Sequence, residues 1–458
     1  MSWAVHEFGR APLGDRRRVE RLIKIAEARS QRPSASFPAC METPQDLDAF
    51  YAFCDNEHIK REAVVLSHIQ ATCERMAAHP VVLALQDTSY VDYSHHPQTT
   101  GLGVLHDKQH QGYLLHSTLV VTPEREPLGL LDQQVIQRDA KAFGKKQTRR
   151  QRPIEAKERY KWLLSVEASA ASQAACPESL VVNVGDREAD VYDAFLRAQQ
   201  LQQPVLFRGA WNRSIEEEAA AYLWDWADAL TVCDQRELAL PKRGRYAARS
   251  ATVSLRYGQV NLKPPSYRRS EGLPTLPVHV VYVREEQPPA HEPGLEWLLL
   301  TTVPVTDTAS AWERVDWYAC RWMIELYHKV LKSGCQLEAR QLETADRLLR
   351  YLAIDSVVAW RILGLTFTAR AQPELSCEAF LEPEEWQALY CFIHKTPKRP
   401  EQPPSLREAS RWIAQLGGFL GRNSDGEPGI TVMWRGYQRL SDMVQMHHVF
   451  NPTHGGVG

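Results

Sequence analysis

Tyr318, Arg321, Glu325 and Lys332 stand at i, i+3, i+7 and i+14 within WYACRWMIELYHKVLKSG, residues 317–334. Read as one helix, the four fall inside a stripe about 60° wide. Trp322, Met323, Ile324, Leu326, Val330 and Leu331 fill the rest of the circumference. A helix apolar on most sides, with one narrow polar stripe, is expected to be buried around a polar site. One carboxylate among a phenol, a guanidinium and an ammonium suits metal-assisted phosphate chemistry: the carboxylate holds a cation while its neighbours hold phosphates. The stripe alone also fits a surface row of i, i+4 ion pairs.

Two further carboxylates end apolar runs. Val81-Val82-Leu83-Ala84-Leu85-Gln86-Asp87 reads as a strand buried on both faces, with Asp87 at its C-terminal end. Leu180-Val181-Val182-Asn183-Val184-Gly185-Asp186 repeats the device. Such strand ends are where α/β sheets bind ligands. Two strand-end aspartates and a helical glutamate are the oxygen donors a hard cation needs; Mg²⁺ usually takes one or two carboxylates and fills its shell with water and phosphate oxygens. Two such ions about 4 Å apart activate an attacking oxygen and stabilise a leaving one. Either aspartate alone also fits a helix cap or turn.

The elements that must position these groups are legible in outline. Residues 11–75 read as helices, with Asp15 as a cap, Val19, Leu22, Ile23, Ile25 and Ala26 at helical spacing, and a second start at Thr43-Pro44. Strands are expected at 114–122, 128–136 and 204–208, a basic polar stretch at 138–153 and a helix at 155–174. Residues 209–300 lose the helical period and alternate, as at Val278-His279-Val280-Val281-Tyr282-Val283, which predicts an inserted β-rich subdomain. An apolar helix near 345–370 and helices at 405–418 and 430–447 follow.

At 458 residues, 44% hydrophobic and 24% charged, the chain should form two to four globular domains. Its net charge of −2 conceals asymmetry: residues 138–161 hold ten Lys/Arg against three Asp/Glu, and residues 241–270 hold eight Lys/Arg and no acid. The first forty residues add eight bases against four acids. Three separated basic segments suggest one extended polyanion touched from several domains, although solvated loops account for them too. The nine cysteines form no CxxC pair, and Cys54 and Cys320 lie in apolar helical patterns, which fits a reducing cytosol. No signal segment and no long uncharged apolar run is evident, so a soluble chain without a membrane partner is expected. His95, His96, His106, His110 and His116 crowd after Asp87, but with no cysteine among them zinc is not expected.

These blocks resemble the DDE transposases of bacterial cut-and-paste elements, the insertion-sequence family that includes the Tn5 transposase. The YREK signature, Tyr-x2-Arg-x3-Glu-x6-Lys, is matched at every spacing by Tyr318, Arg321, Glu325 and Lys332. Gln86-Asp87-Thr88-Ser89 and Gly185-Asp186-Arg187-Glu188-Ala189-Asp190 resemble the family's two aspartate blocks, and the similarity runs from Leu13-Gly14-Asp15-Arg16-Arg17 to Leu416-Gly417-Gly418-Phe419. The chain departs from the pattern at Tyr51-Ala52-Phe53, where Tyr-Arg-Phe is common, and at Ser89, where Thr is commoner.

The resemblance implies an α/β fold: a ribonuclease H-like catalytic core at 73–368, interrupted by the β-rich insertion near 209–300, between a helical DNA-end-binding domain at 1–72 and a helical dimerisation region at 369–458. It implies that Asp87, Asp186 and Glu325 are catalytic metal ligands for Mg²⁺, two ions to a site, with Mn²⁺ able to substitute. Tyr318, Arg321 and Lys332 become phosphate grips, Lys329 and Arg208 further DNA contacts, and Trp297 the ring that stacks on a flipped base during hairpin formation. On their own, Trp297 also fits a strand-core aromatic and Arg208 a solvated strand end. Arg17, Arg18 and Arg21 match basic positions of the end-recognition domain, and a charged outer helix face explains them equally. The implied partners are double-stranded transposon ends, target DNA and a second copy in a synaptic homodimer, in the bacterial cytoplasm at the nucleoid. A ribonuclease H-like endonuclease without strand transfer and a domesticated DNA-binding protein are the alternatives.

Overall fold

The computed structural model describes residues 2–140, 153–218, 220–240, 244, 246–422 and 424–450. Most of the basic stretch at 138–153, Lys242, Arg243 and Arg245 of the second basic segment, and the side chains of His447 and His448 lie outside the described residues. The chain divides into two compact units, one of residues 1–76, 88–144 and 323–458 and one of residues 77–87 and 145–322.

The first unit opens with α1 (Trp3–Phe8), α2 (Arg16–Gln31), α3 (Phe37–Cys40), α4 (Pro44–Asp55) and α5 (Arg61–Met76). The expected starts are capped as read: Asp15 accepts the Arg17 N–H and Thr43 accepts the Asp46 N–H, with Pro44 at the first helical position. β1 (Val81–Asp92) follows, its division between the units falling after Asp87. The strand expected to stop at Asp87 therefore continues five residues beyond it, and Asp87 lies inside β1 rather than at its end. The apolar run marked only where the strand is buried; from Asp87 to Tyr90 the residues are half-buried but still extended. β2 (Gly103–Val104), β3 (Gln111–Val121) and β4 (Pro127–Ile136) complete this part, β3 pairing antiparallel with β2 and β4. Gly112 of β3 lies so close to Val91 that a Cβ there would overlap the Val91 carbonyl oxygen.

The second unit takes the first half of β1, then α6 (Tyr160–Gln173), β5 (Leu180–Gly185), α7 (Tyr192–Gln200), β6 (Val205–Arg208), α8 (Leu223–Ala229), β7 (Asp234–Leu240), β8 (Arg249–Leu262), β9 (Leu276–Glu285), β10 (Glu296–Thr301) and α9 (Thr308–Ala319). β1 pairs parallel with β5 from Val81↔Leu180 to Leu85↔Val184, and β5 pairs parallel with β6. β10 joins β6 antiparallel, Leu300 opposite Phe207, and β9, β8 and β7 continue in antiparallel order. The alternating segment expected as an inserted β-rich subdomain extends the sheet of the parallel strands. Its Val278, Val280 and Leu300 share one core with Phe195 and Phe207. Alternation reveals a half-buried strand, but not the edge it will join.

The chain returns to the first unit through α10 (Trp322–Lys329), a π-helical turn (Val330–Gly334), α11 (Ala345–Ala371), α12 (Pro383–His394), α13 (Leu406–Leu416) and α14 (Ile430–Phe450). The single helix expected over 317–334 is broken twice. α9 ends at Ala319 and α10 starts at Trp322, and the π turn begins at Val330. The four YREK residues therefore do not share one ideal helical stripe; a uniform 100° per residue fails at Cys320-Arg321 and again before Lys332. α11 is long and apolar enough by composition to cross a membrane, yet its apolar window is entirely buried in the fold, as a core helix requires. α13 and α14 cross at Gly417 and Gly436, where an added Cβ would overlap the carbonyl oxygens of Val432 and Ile413.

Candidate active site and nucleic-acid contacts

In the second unit, β5 delivers Asp186 through Gly185, whose missing Cβ leaves room for Ala189 and Phe207. Asp186 caps the turn that follows, accepting the Glu188 N–H at 2.8 Å. Burial raises its carboxyl above the usual range. The Glu188 N–H opposes this, the neighbouring Asp87 charge adds to it and Arg321 opposes it again. The Asp87 carboxylate therefore lies within electrostatic reach of Asp186. A hard cation between them would remove that repulsion, and an all-oxygen donor pair suits Mg²⁺.

Around this pair the second unit gathers further groups. Arg208, at the end of β6, donates to the Glu296 carbonyl at 2.8 Å; burial lowers its guanidinium pKa, while Tyr318 opposes that by charge and by hydrogen bond. Tyr318 is buried, and its ring meets Trp297 edge-on at 5.0 Å. Arg187 and Arg321 also act on Arg208. Arg208, Trp297, Tyr318 and Arg321 are thus neighbours or electrostatic partners within one unit, although three different elements and a turn supply them. Asp190, read in the sequence only as part of the aspartate block, proves to be an anchor. Its fully buried carboxylate takes the N–H groups of Ala210 and Trp211 and the Arg213 guanidinium, fixing the loop after β6.

In the first unit Glu325 and Lys329 are exposed on α10 and Lys332 is half-buried in the π turn. His328 is buried and meets Ser117 at 3.2 Å, and His116 is buried against Thr88; both are core histidines. Among the described residues no group of three His, Cys, Asp or Glu side chains is placed to hold a metal ion. On α2, Arg17 is exposed and paired with Asp15 at 2.8 Å, Arg18 donates to the Leu13 carbonyl, and Arg21 is exposed. Arg17, Arg21 and Lys24 line a groove of about 490 Å³ with Glu20, Glu42 and Asp46. Arg18 is partly occupied in holding its own turn, a tie that a charge count does not reveal. Sequence reasoning also missed Glu338, which pairs with Lys332 at 3.0 Å, because a six-residue spacing belongs to no regular period.

Residues 1–59 match a family model described as transposase DNA-binding, and residues 357–450 match one described as the transposase Tn5 dimerisation domain. The chain belongs to the Tn5-type DDE transposase family. The two matches bracket the segment that carries Asp87, Asp186 and all four YREK residues. They make DNA binding and transposase function properties of this chain, with a mixed sheet set between helical N- and C-terminal regions of the sequence. The groove on α2 lies wholly within the DNA-binding match, and the α13–α14 crossing wholly within the dimerisation match.

Proposed function

We propose that this transposase cuts DNA at transposon ends by metal-dependent phosphoryl transfer and joins the freed 3′-OH to target DNA, passing through a hairpin, on a ribonuclease H-like core. The observation that carries the reading is the Asp87–Asp186 carboxylate pair, held in one unit with Arg208, Trp297, Tyr318 and Arg321. Asp87 and Asp186 are the ligands the second unit offers, and Glu325 is the third that the YREK spacing assigns. Bound there, Mg²⁺, as two ions or with Mn²⁺ in its place, would polarise the phosphate and activate the attacking oxygen. Arg321 and Arg208 neutralise the phosphate charge, Tyr318 donates to a phosphate oxygen, and the Trp297 face offers a stack worth about 1–3 kcal/mol to a base turned out of the duplex. Lys329 and Lys332 contact the backbone of the same end. Arg17, Arg18 and Arg21 read the end from α2. The partners are two transposon ends, a target duplex and a second copy of the chain, in the bacterial cytoplasm at the nucleoid.

The test uses supercoiled donor DNA carrying the element's own ends, a target plasmid and Mg²⁺. Joined products are expected from the wild-type chain. Asp87→Ala, Asp186→Ala and Glu325→Ala should each abolish cleavage while still shifting end-containing DNA in a binding assay. Cleavage without joined products would leave a nuclease, and undiminished cutting by any of the three variants would show that the ligands are misassigned.

A further inference from the structure

Lys332 has built surroundings. Its Nζ donates to the Tyr90 carbonyl at 2.7 Å and lies 3.0 Å from Glu338 Oε1. The same Glu338 oxygen accepts the Asp92 N–H at 2.9 Å. The segment that bears Glu338 is stitched at two further points to the chain just after β1: the Tyr93 hydroxyl donates to the Leu337 carbonyl at 3.0 Å, and His96 Nε2 meets the Glu338 carbonyl at 2.9 Å. Gln336, at a φ of 54°, turns the chain back after the π turn so that this segment reaches β1. Lys332 and Glu338 are each about a third exposed, 30% and 32%. An ion pair so open to water adds too little stability to account for the arrangement. What it does fix is position. A lysine ammonium on a flexible four-carbon stem has three donors; two are committed here to β1 and to Glu338, which leaves the third for a phosphate oxygen.

We infer that Glu338 is the positioning residue for Lys332, clamping its ammonium against the end of β1 so that DNA meets a lysine already in place. The inference rests on reading Lys332 as a phosphate grip. Glu338→Gln keeps the shape and an acceptor for the Asp92 N–H but removes the charge that holds the ammonium. Single-turnover cleavage of a labelled end duplex at saturating protein should slow on the order of 10-fold, as expected when a catalytic contact loses its placement. End binding should not weaken, because a negative charge has been taken away from beside phosphates, and the melting temperature should hold. Lys332→Ala with Glu338→Gln should cleave no more slowly than Lys332→Ala alone. A wild-type rate for Glu338→Gln, or a double variant whose loss is the product of the two single losses, overturns the inference. So does a fall in melting temperature that accounts for the slower rate. A wild-type chain that binds ends without cutting them defeats the functional reading instead. The same cycle is then read on end affinity, where non-additivity supports the clamp and additivity rejects it.

Discussion

A single ring and a single carboxylate illustrate how far individual residues carry this protein. Trp297 is half-buried and its ring packs edge-on with that of Tyr318. If it stacks on a flipped base, Trp297→Ala should slow hairpin formation on the order of 10-fold or more, Phe should restore part of the rate, and an abasic nucleotide at the flipped position should erase the difference between wild type and variant. A difference that survives at every abasic position would leave Trp297 as packing only. Asp190 is a structural counterpart. Asp190→Ala would strand the largely buried Arg213 guanidinium and two N–H groups. A loss of about 3–5 kcal/mol in denaturant unfolding is expected, against little change for a surface aspartate. Asp190 sits four residues from Asp186 in the same motif, and its chain position alone does not separate the anchor from the site.

At the scale of elements, α1 is held to α5 by a buried polar cluster. His68 Nε2 accepts the Leu130 N–H at 3.1 Å, so its Nδ1 carries the proton that it gives to Glu7. Arg75 pairs with Glu7 at 2.8 Å and lies over Trp360, which in turn packs on His68. Burial pushes the His68 ring below its ordinary 6.5, against the pull of Glu7. Burial would raise the Glu7 carboxyl, but His68 and Arg75 outweigh it and hold it well below the usual carboxylate range. Both folded values are depressed, so the unfolded chain binds the extra protons in acid. The stabilisation is complete above the unfolded values and is lost as pH falls through about 6.5 and then about 4.5. The melting temperature should fall from pH 7 to pH 4, and His68→Gln should flatten the upper part of that slope. A profile unchanged by the substitution would remove His68 from the account. The α13–α14 crossing supplies a steric test: Gly436→Ala pushes a Cβ into the Ile413 carbonyl and should cost about 1–3 kcal/mol, seen as a lower denaturation midpoint.

At the scale of the whole molecule, the first unit is assembled from segments far apart in the chain, and one buried ion pair marks the assembly. Arg29 of α2 and Asp355 of α11 meet at 3.1 Å with both side chains fully buried. Tyr351 donates to Asp355, and Arg29 and Arg340 both satisfy carbonyls of Pro33 and Ala35. Arg29 lies in the DNA-binding match, while α11 runs into the dimerisation match. Asp355→Leu alone leaves a buried guanidinium without its counter-charge and should cost about 3–5 kcal/mol in denaturant unfolding, whereas Arg29→Met with Asp355→Leu should recover much of that loss. Equal losses for the single and double variants would contradict the account. The chain passes between units inside β1 and at the start of α10, so the division falls within the motif blocks themselves.

The sequence by itself marked the candidate chemical residues and most of the elements. Motif spacing singled out Asp87, Asp186 and the YREK residues, apolar runs placed β1 and β5, and caps at Asp15 and Thr43 marked α2 and α4, because these are local properties of residue type and period. Tertiary structure alone decided that Asp87 lies inside a strand, that helix 317–334 breaks before Arg321 and turns π before Lys332, and that the alternating strands extend the sheet past β6. It also made His116 and His328 core residues and paired Lys332 with Glu338 and Arg29 with Asp355. Those outcomes depend on which distant segment satisfies a buried charge or an open strand edge, and no local period records that choice.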